Sequence, residues 1–310
     1  MPNPEQPIIV PKGKVFETYR ELTPQEEAEL ASAESRTKDR ADKRAPGTTI
    51  EQLARAQELF GSDFLGPEAV ENVWGIKLEA KDIPPIPFSP AELKRAKELN
   101  QQLVLRINKA PDGTSLTMQE INEMVQPKLS QGGKGKLLLN VDWYAAEQFY
   151  TSEPTEFAWA LVSKGPIPDS KGKNYLEQTE AMVVYLQNEV FQGMDIPIEY
   201  RDAIAEFYSK KAGLAPLIDT DWQEAAKQLV ELKINQLTRP TPAEALYDVA
   251  TNILQNDERH LESTYTWTGR RRSDGELVDV GDADSDGARV YAGWPGSRDD
   301  DLGVSFSRSR

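Results

Sequence analysis

Asp282, Asp284, Asp286 and Gly287 stand in D-x-D-x-D-G order, the first half of a calcium loop, where three carboxylates converge and glycine supplies the sharp turn. The twelfth position, which in such a loop is a bidentate Glu, is Gly293. The same run suits an Asx turn between strands, with Asp and Ser side chains bonding nearby amides, and this is the preferred reading. No metal is assigned on that basis; Asp282, Asp284 and Asp286 are the candidate ligands if one binds. His260 is the only histidine, and no G-x-S-x-G nucleophile elbow accompanies it. A lone histidine near a helix exit is read as favourable placement against the helix dipole. The absence of cysteine removes thiolate nucleophiles, disulfides and Cys-ligated zinc or iron–sulfur sites. Gly132-Gly133-Lys134-Gly135 lacks the spacing and the Ser or Thr of a phosphate loop. Paired-carboxylate catalysis remains open among 51 acidic residues, yet no pattern selects a pair. The expectation is a non-enzymatic protein without a cofactor.

Composition narrows the partners. A formal net charge of −15 argues against nucleic acid, whose phosphates require a basic footprint, and against an anionic membrane surface. Arg270 to Arg272 adjoin the turn signal Ser273-Asp274-Gly275, so they are read as a solvated hairpin end. Pro7 to Pro11 is too short for the apolar core of a secretory signal, and no run approaches membrane-spanning length. A cytoplasmic location is the default expectation.

The elements that would position any site read as follows. Residues 1–47 are expected to be a poorly ordered charged segment, with a capping box at Thr23 to Glu26. Residues 48–131 are expected to be a helical region, with helices over Thr49 to Phe60, Pro67 to Trp74 and Ser89 to Asn108, and a further cap at Thr117. Gly132 to Gly135 marks a flexible joint. Beyond it, Lys136 to Val141 and Phe157 to Val162 read as strands. Helices follow over Tyr175 to Phe191, Pro197 to Ala212, Asp221 to Gln236 and from the Thr241 cap, the middle two as an insertion. From Tyr265 the chain is strands and turns; Trp159 and Trp267 are core aromatics. The fold class is α+β.

The tail carries most of the functional signal. Leu302 to Arg308 alternates, with Leu302, Val304 and Phe306 toward a core and Gly303, Ser305 and Ser307 toward solvent. Pro295, two glycines and the Asp299 to Asp301 run make Ala288 to Asp301 a surface loop.

This tail resembles the variable region of the target proteins of diversity-generating retroelements, which end in a C-type lectin domain of the formylglycine-generating-enzyme type. Asp299 to Phe306 (DDDLGVSF) occupies the place of their final Leu-Gly-apolar-x-Phe strand. Tyr265 to Gly269, Ser273 to Leu277 and Gly281 to Val290 are similar to the scaffold that precedes their variable loop. The resemblance covers about the last fifty residues and extends more weakly back to about Lys136. It implies a C-type lectin-like ligand-binding domain over 132–310, with its variable region at about 281–310. Adenine-directed mutagenesis of Asn codons cannot yield Lys, Glu, Gln, Met or Trp, and between Ala288 and Asp301 only Trp294 falls outside the reachable set. The implied ligand surface is Arg289, Tyr291, Ala292, Gly293, Trp294, Ser297, Arg298, Asp299, Asp300 and Asp301, a mixture of large aromatic and small adaptable residues that suits a protein ligand. The rival expectation is a structural or assembly protein whose helical N-terminal region docks into a larger complex. The sequence is silent on oligomeric state.

Overall fold

Helix starts follow the chemistry of their caps. The Thr48 hydroxyl accepts the Glu51 amide while the Glu51 carboxylate accepts the Thr48 amide, opening α1 (Thr49–Phe60). The same reciprocal pair opens three more helices: Ser89 with Glu92 for α3 (Pro90–Glu98), Asn174 with Glu177 for α6 (Tyr175–Tyr185) and Thr241 with Glu244 for α10 (Pro242–Asn256). The structure, a computed structural model, describes residues 48–309, so the segment 1–47 and its Thr23 cap lie outside the described residues.

The remaining elements in chain order are β1 (Phe64–Leu65), α2 (Pro67–Ala69, running into a π turn to Trp74), β2 (Gln101–Arg106), α4 (Met118–Gln131), α5 (Gln148–Thr151) and β3 (Ala158–Pro166). After α6 come α7 (Ile198–Thr220), α8 (Trp222–Glu231) and α9 (Lys233–Thr238). The chain closes through β4 (Tyr265–Arg271), β5 (Leu277–Gly281), β6 (Arg289–Gly293), β7 (Leu302–Gly303) and β8 (Ser305–Ser309). One sheet has the order β1-β2-β3-β8 and the other β6-β5-β4-β7, so the architecture is α+β.

Several sequence expectations are corrected. The helix expected over Ser89 to Asn108 ends at Leu99, where Asn100 adopts a left-handed conformation (φ 56°), and the chain continues as β2. The segment 48–131 is therefore not purely helical: β1 and β2 share a sheet with β3 and β8. Lys136 to Val141 is not a strand but an irregular passage, buried only at Leu137 and Leu138, with a single bridge, Leu138 to Ala288, that ends in a 3-10 turn at Val141–Trp143. The glycine joint before it is exposed at Gly132 and Gly133 and packed at Gly135. Gly135 (φ 82°) lies so close to the Ser285 carbonyl that a Cβ would sit 2.0 Å from its oxygen, and the Lys136 amide donates to that same carbonyl at 3.0 Å.

β2 is buried throughout and yet carries Gln101, Gln102 and Arg106. Burying such groups is costly unless each finds a partner. Gln101 donates to the Tyr185 hydroxyl of α6 at 3.3 Å. The partners of Gln102 and Arg106 lie on α10, where Glu244, Asp248 and Asn252 recur every fourth residue on one face. Gln102 and Asn252 exchange amide hydrogen bonds at 2.8 and 2.9 Å. The Arg106 guanidinium, 1% exposed, donates to both Asp248 carboxylate oxygens at 3.1 and 2.5 Å and to the Ser307 hydroxyl at 3.0 Å, and lies 3.1 Å from Glu244. Burial opposes its charge, but Asp248 and Glu244 outweigh burial and hold it firmly protonated.

Breaking this joint should be expensive. Arg106→Met leaves two carboxylates buried without their cation, and urea unfolding should show a loss of about 3–5 kcal/mol. Arg106→Met combined with Asp248→Leu should recover part of that loss. A loss in the single variant below about 1 kcal/mol would mean that the pair is dispensable.

Candidate ligand-binding face

β6 is the edge strand of its sheet. Its register against β5 sets Arg289 opposite Gly281, Tyr291 opposite Asp279 and Gly293 opposite Leu277. Alternation sends Val290 and Ala292 to the other face, where Val290 is buried with Val278 and Val280. The stretch Ala288 to Asp301 is thus not all loop: Ala288 and Val290 are core, and Arg289 to Gly293 pair as a strand. On the face that also carries buried Asp279, Leu277 and Trp267, the Tyr291 ring, half exposed, packs 5.7 Å from that of Tyr265.

Residues 294–301 then connect β6, at one edge of the sheet, to β7 at the other. This passage is held by its main chain. The carbonyl of Pro295 accepts the Tyr175 amide at 3.1 Å, that of Asp299 accepts Gly172 at 3.0 Å and Leu302 at 3.1 Å, and that of Asp301 accepts Tyr265 at 2.9 Å. The side chains of Trp294, Arg298, Asp299, Asp300 and Asp301 are meanwhile exposed, while Ala292, Gly293 and Ser297 are half-buried. Arg298 reaches back to grip the Glu177 carboxylate through both terminal nitrogens, at 2.5 and 2.9 Å. The Trp294 ring lies against Gly296, where a Cβ would stand 2.5 Å from it.

Arg289 differs from its expected role as a display residue. Its side chain is only 23% exposed and turns inward to pair with Asp282 and Asp284. Those two carboxylates, candidates for calcium, are thereby occupied by a guanidinium. The Asp284 side chain also accepts the Asp286 amide at 2.7 Å, which makes the turn an Asx turn and holds that carboxyl below its ordinary range.

Beyond Gly303 the closing strand differs from its expected half-exposed form. Leu302–Gly303 pairs with β4 in one sheet, and Ser305–Ser309 pairs with β3 in the other, so the chain changes sheets at Val304. Both faces are consequently buried, with Ser305 and Ser307 as deep as Phe306 is apolar. Gly303 is required by contact: a Cβ there would lie 2.6 Å from the Pro166 ring.

Two other expectations change. The arginine run at the β4–β5 hairpin is clamped rather than solvated, since Arg270 pairs with Glu153, and Arg272 pairs with Glu276 and lies over the Trp143 ring. His260 is buried, with its Nε2 3.5 Å from Glu258. Burial and then Lys164 depress its pKa, opposite to the direction in which a helix-end dipole would push it.

Sequence reasoning missed Asp279. It sits mid-strand in β5, between Trp267 and Tyr291 in register, 5% exposed, and makes no side-chain hydrogen bond or ion pair among the described residues. Burial first, then Asp299 and Asp301, push its carboxyl up to about 8. The one available signal was an Asp flanked by valines in an apolar run, Leu277-Val278-Asp279-Val280.

No family model, curated protein or solved structure matches the chain.

Changing Arg298, Asp299 and Asp300 together to Ala should move the unfolding free energy by under about 1 kcal/mol, because the backbone does the holding. Phe306→Ala, in a strand buried on both faces, should cost about 3 kcal/mol or more. Asp279 should also impose a pH dependence. Below about pH 4 the folded and unfolded chains both carry its proton; between about 4 and 8 only the folded chain does. Stability should therefore fall as pH rises through that window, and Asp279→Asn should flatten the fall and be the more stable protein at pH 8. Denaturant unfolding at pH 5 and pH 8 reads this directly; a variant less stable than the parent at pH 8 would contradict it.

Proposed function

We propose that this chain is a non-enzymatic binding protein that presents the face formed by β6 and residues 294–301 to a protein partner. The scaffold is read as C-type lectin-like, and the face as one diversified by a retroelement. The observation that carries the proposal is the division of labour in 294–301. Four main-chain hydrogen bonds fix the path of the segment, while most of its side chains project outward. Such a segment can change its side chains at little cost to the fold, because carbonyl acceptors are common to all residues. Tyr291 and Trp294 supply rigid contact area, and Ser297 and the aspartates supply adaptable polar contacts, as in antibody-like binding surfaces. The excess of acid on this face favours a partner with basic surface. The scaffold reading is supported by the last strand, β8, which pairs with β3 from far upstream, and by an irregular segment carrying the exposed aromatic residues. No helix among the described residues is long and apolar enough to cross a membrane.

The test of diversification lies in the gene. A reverse transcriptase and a noncoding copy of the 3′ end should lie nearby, and the two copies should disagree only where the template holds adenine. Those sites should fall in codons for exposed residues such as Tyr291, Arg298 and Asp299. Codons for Leu302, Gly303, Val304 and Phe306 should be spared, since a polar residue at Phe306 would cost several kcal/mol of a total stability of about 5–15 kcal/mol. A complete genome with neither element would sink diversification.

A further inference from the structure

The end of β4 opens onto a groove of about 620 Å³, within the roughly 300–1,000 Å³ of small-molecule sites. Its walls are residues 146–153 around α5, the end of α8 with Gln236 of α9, and the run Gly269 to Ser273. No residue of β6 or of 294–301 lines it, so it is separate from the proposed binding face. Six charged side chains do line it, three arginines and three glutamates, and four of the six are matched. Arg270 pairs with Glu153, and Arg272 lies 3.6 Å from Glu147 and 3.0 Å from both Asp274 and Glu276. Glu147 also accepts the Ser273 amide and hydroxyl at 2.9 and 2.8 Å, so this side of the groove is fixed before any ligand arrives. Arg271, half-buried, and Glu231, exposed, are left over. Neither makes a side-chain hydrogen bond or ion pair among the described residues, and they do not pair with each other. Both stand on fixed backbone: Arg271 is held in register opposite Leu277, and Glu231 is the last residue of α8.

We infer that this groove binds a small zwitterion, a free amino acid or a short peptide, whose carboxylate pairs with Arg271 and whose ammonium pairs with Glu231. One cation and one anion left unpaired on the same groove are complementary to a ligand that carries both signs. Arginine suits the carboxylate end, since its planar fork presents two parallel N–H groups to the two oxygens. Glutamate suits the ammonium end as an acceptor-only carboxylate. The walls sum to no net charge, so a ligand of balanced charge fits them better than a plain anion, which would meet Glu231, or a plain cation, which would meet Arg271.

The full-length protein should be titrated by calorimetry with glycine, triglycine, acetyl-triglycine, which lacks the ammonium, and triglycine amide, which lacks the carboxylate. The expected result is saturable binding of at least one of the two zwitterions, with acetyl-triglycine and triglycine amide at least tenfold weaker than triglycine if triglycine is the ligand. Arg271→Gln and Glu231→Gln should each weaken the zwitterion at least tenfold, whereas Arg271→Lys, which keeps the charge, should retain most of the binding. The residual binding of triglycine amide should ignore Arg271→Gln, and that of acetyl-triglycine should ignore Glu231→Gln. Neither residue is in the core, so the urea midpoint of both variants should match the parent and separate lost binding from lost structure. Triglycine bound more tightly than glycine assigns the groove to peptides, and the reverse assigns it to free amino acids; both outcomes support the zwitterion. Acetyl-triglycine or triglycine amide bound as tightly as triglycine would make the groove a site for a single charge and overturn the inference. So would zwitterion binding unchanged in both Gln variants, or no saturation by either zwitterion up to about 20 mM.

Discussion

The buried guanidinium of Arg106 is the joint on which the rest of the molecule turns. One side chain from β2 meets Asp248 and Glu244 on α10 and Ser307 on the closing strand, and so ties together segments separated by 142 and 201 residues in the chain. A buried ion pair adds little net stability over a well-packed apolar substitute, but it tolerates few alternative arrangements. Here it defines the register of a strand whose two faces are both buried, where apolar packing alone would discriminate weakly between slips. The Gln102–Asn252 amide pair repeats the same device farther along the same strand and helix.

The closing strand inherits that constraint. Once Ser307 is tied to Arg106, and Arg308 to Glu92, Ser305–Ser309 must lie against β3. Leu302–Gly303 just before it must lie against β4. The chain can serve two sheets within a few residues because Val304 stands at the crossing, its amide donating to the Ser170 hydroxyl and its carbonyl accepting from Ile167. Fixing both ends of 294–301 in this way, β6 on one side and β7 on the other, is what lets the segment between them keep most of its side chains out of the core.

Where a local rule decided the outcome, the sequence was legible. The caps at Ser89, Thr117 and Thr241 mark real helix starts, and the apolar run after Phe157 is a real strand. The α+β class follows from these. What escaped was set by distant partners. A fully buried strand such as Gln101 to Arg106 has no alternation to betray it, and its break from α3 rests on the unusual conformation of Asn100. Lys136 to Val141 has strand composition but forms only one bridge, Leu138 to Ala288. At the candidate face, the exposed tyrosine, tryptophan and aspartates were readable from composition. The inward turn of Arg289 and the burial of Asp279 depend on what crosses above them, which no local pattern encodes.

The same geometry accounts for the residue in this segment that adenine-directed change of an Asn codon could not produce. Trp294 is half exposed, yet its ring rests on the backbone at Gly296, where any side chain would collide with it, and the following Ser297 amide donates to its carbonyl at 3.0 Å. Trp294, buried Pro295 and Gly296 thus behave as a rigid corner. Gly293 is bound to that corner as well, since a Cβ there would press within 3.2 Å of the Ser297 hydroxyl and 3.3 Å of the Trp267 ring. A corner of this kind is worth keeping constant, because it aims the residues on either side of it. Under the proposed function, variation would be concentrated at Tyr291 before the corner and at Arg298 to Asp301 after it, with Trp294 acting as both fixed anchor and contact surface.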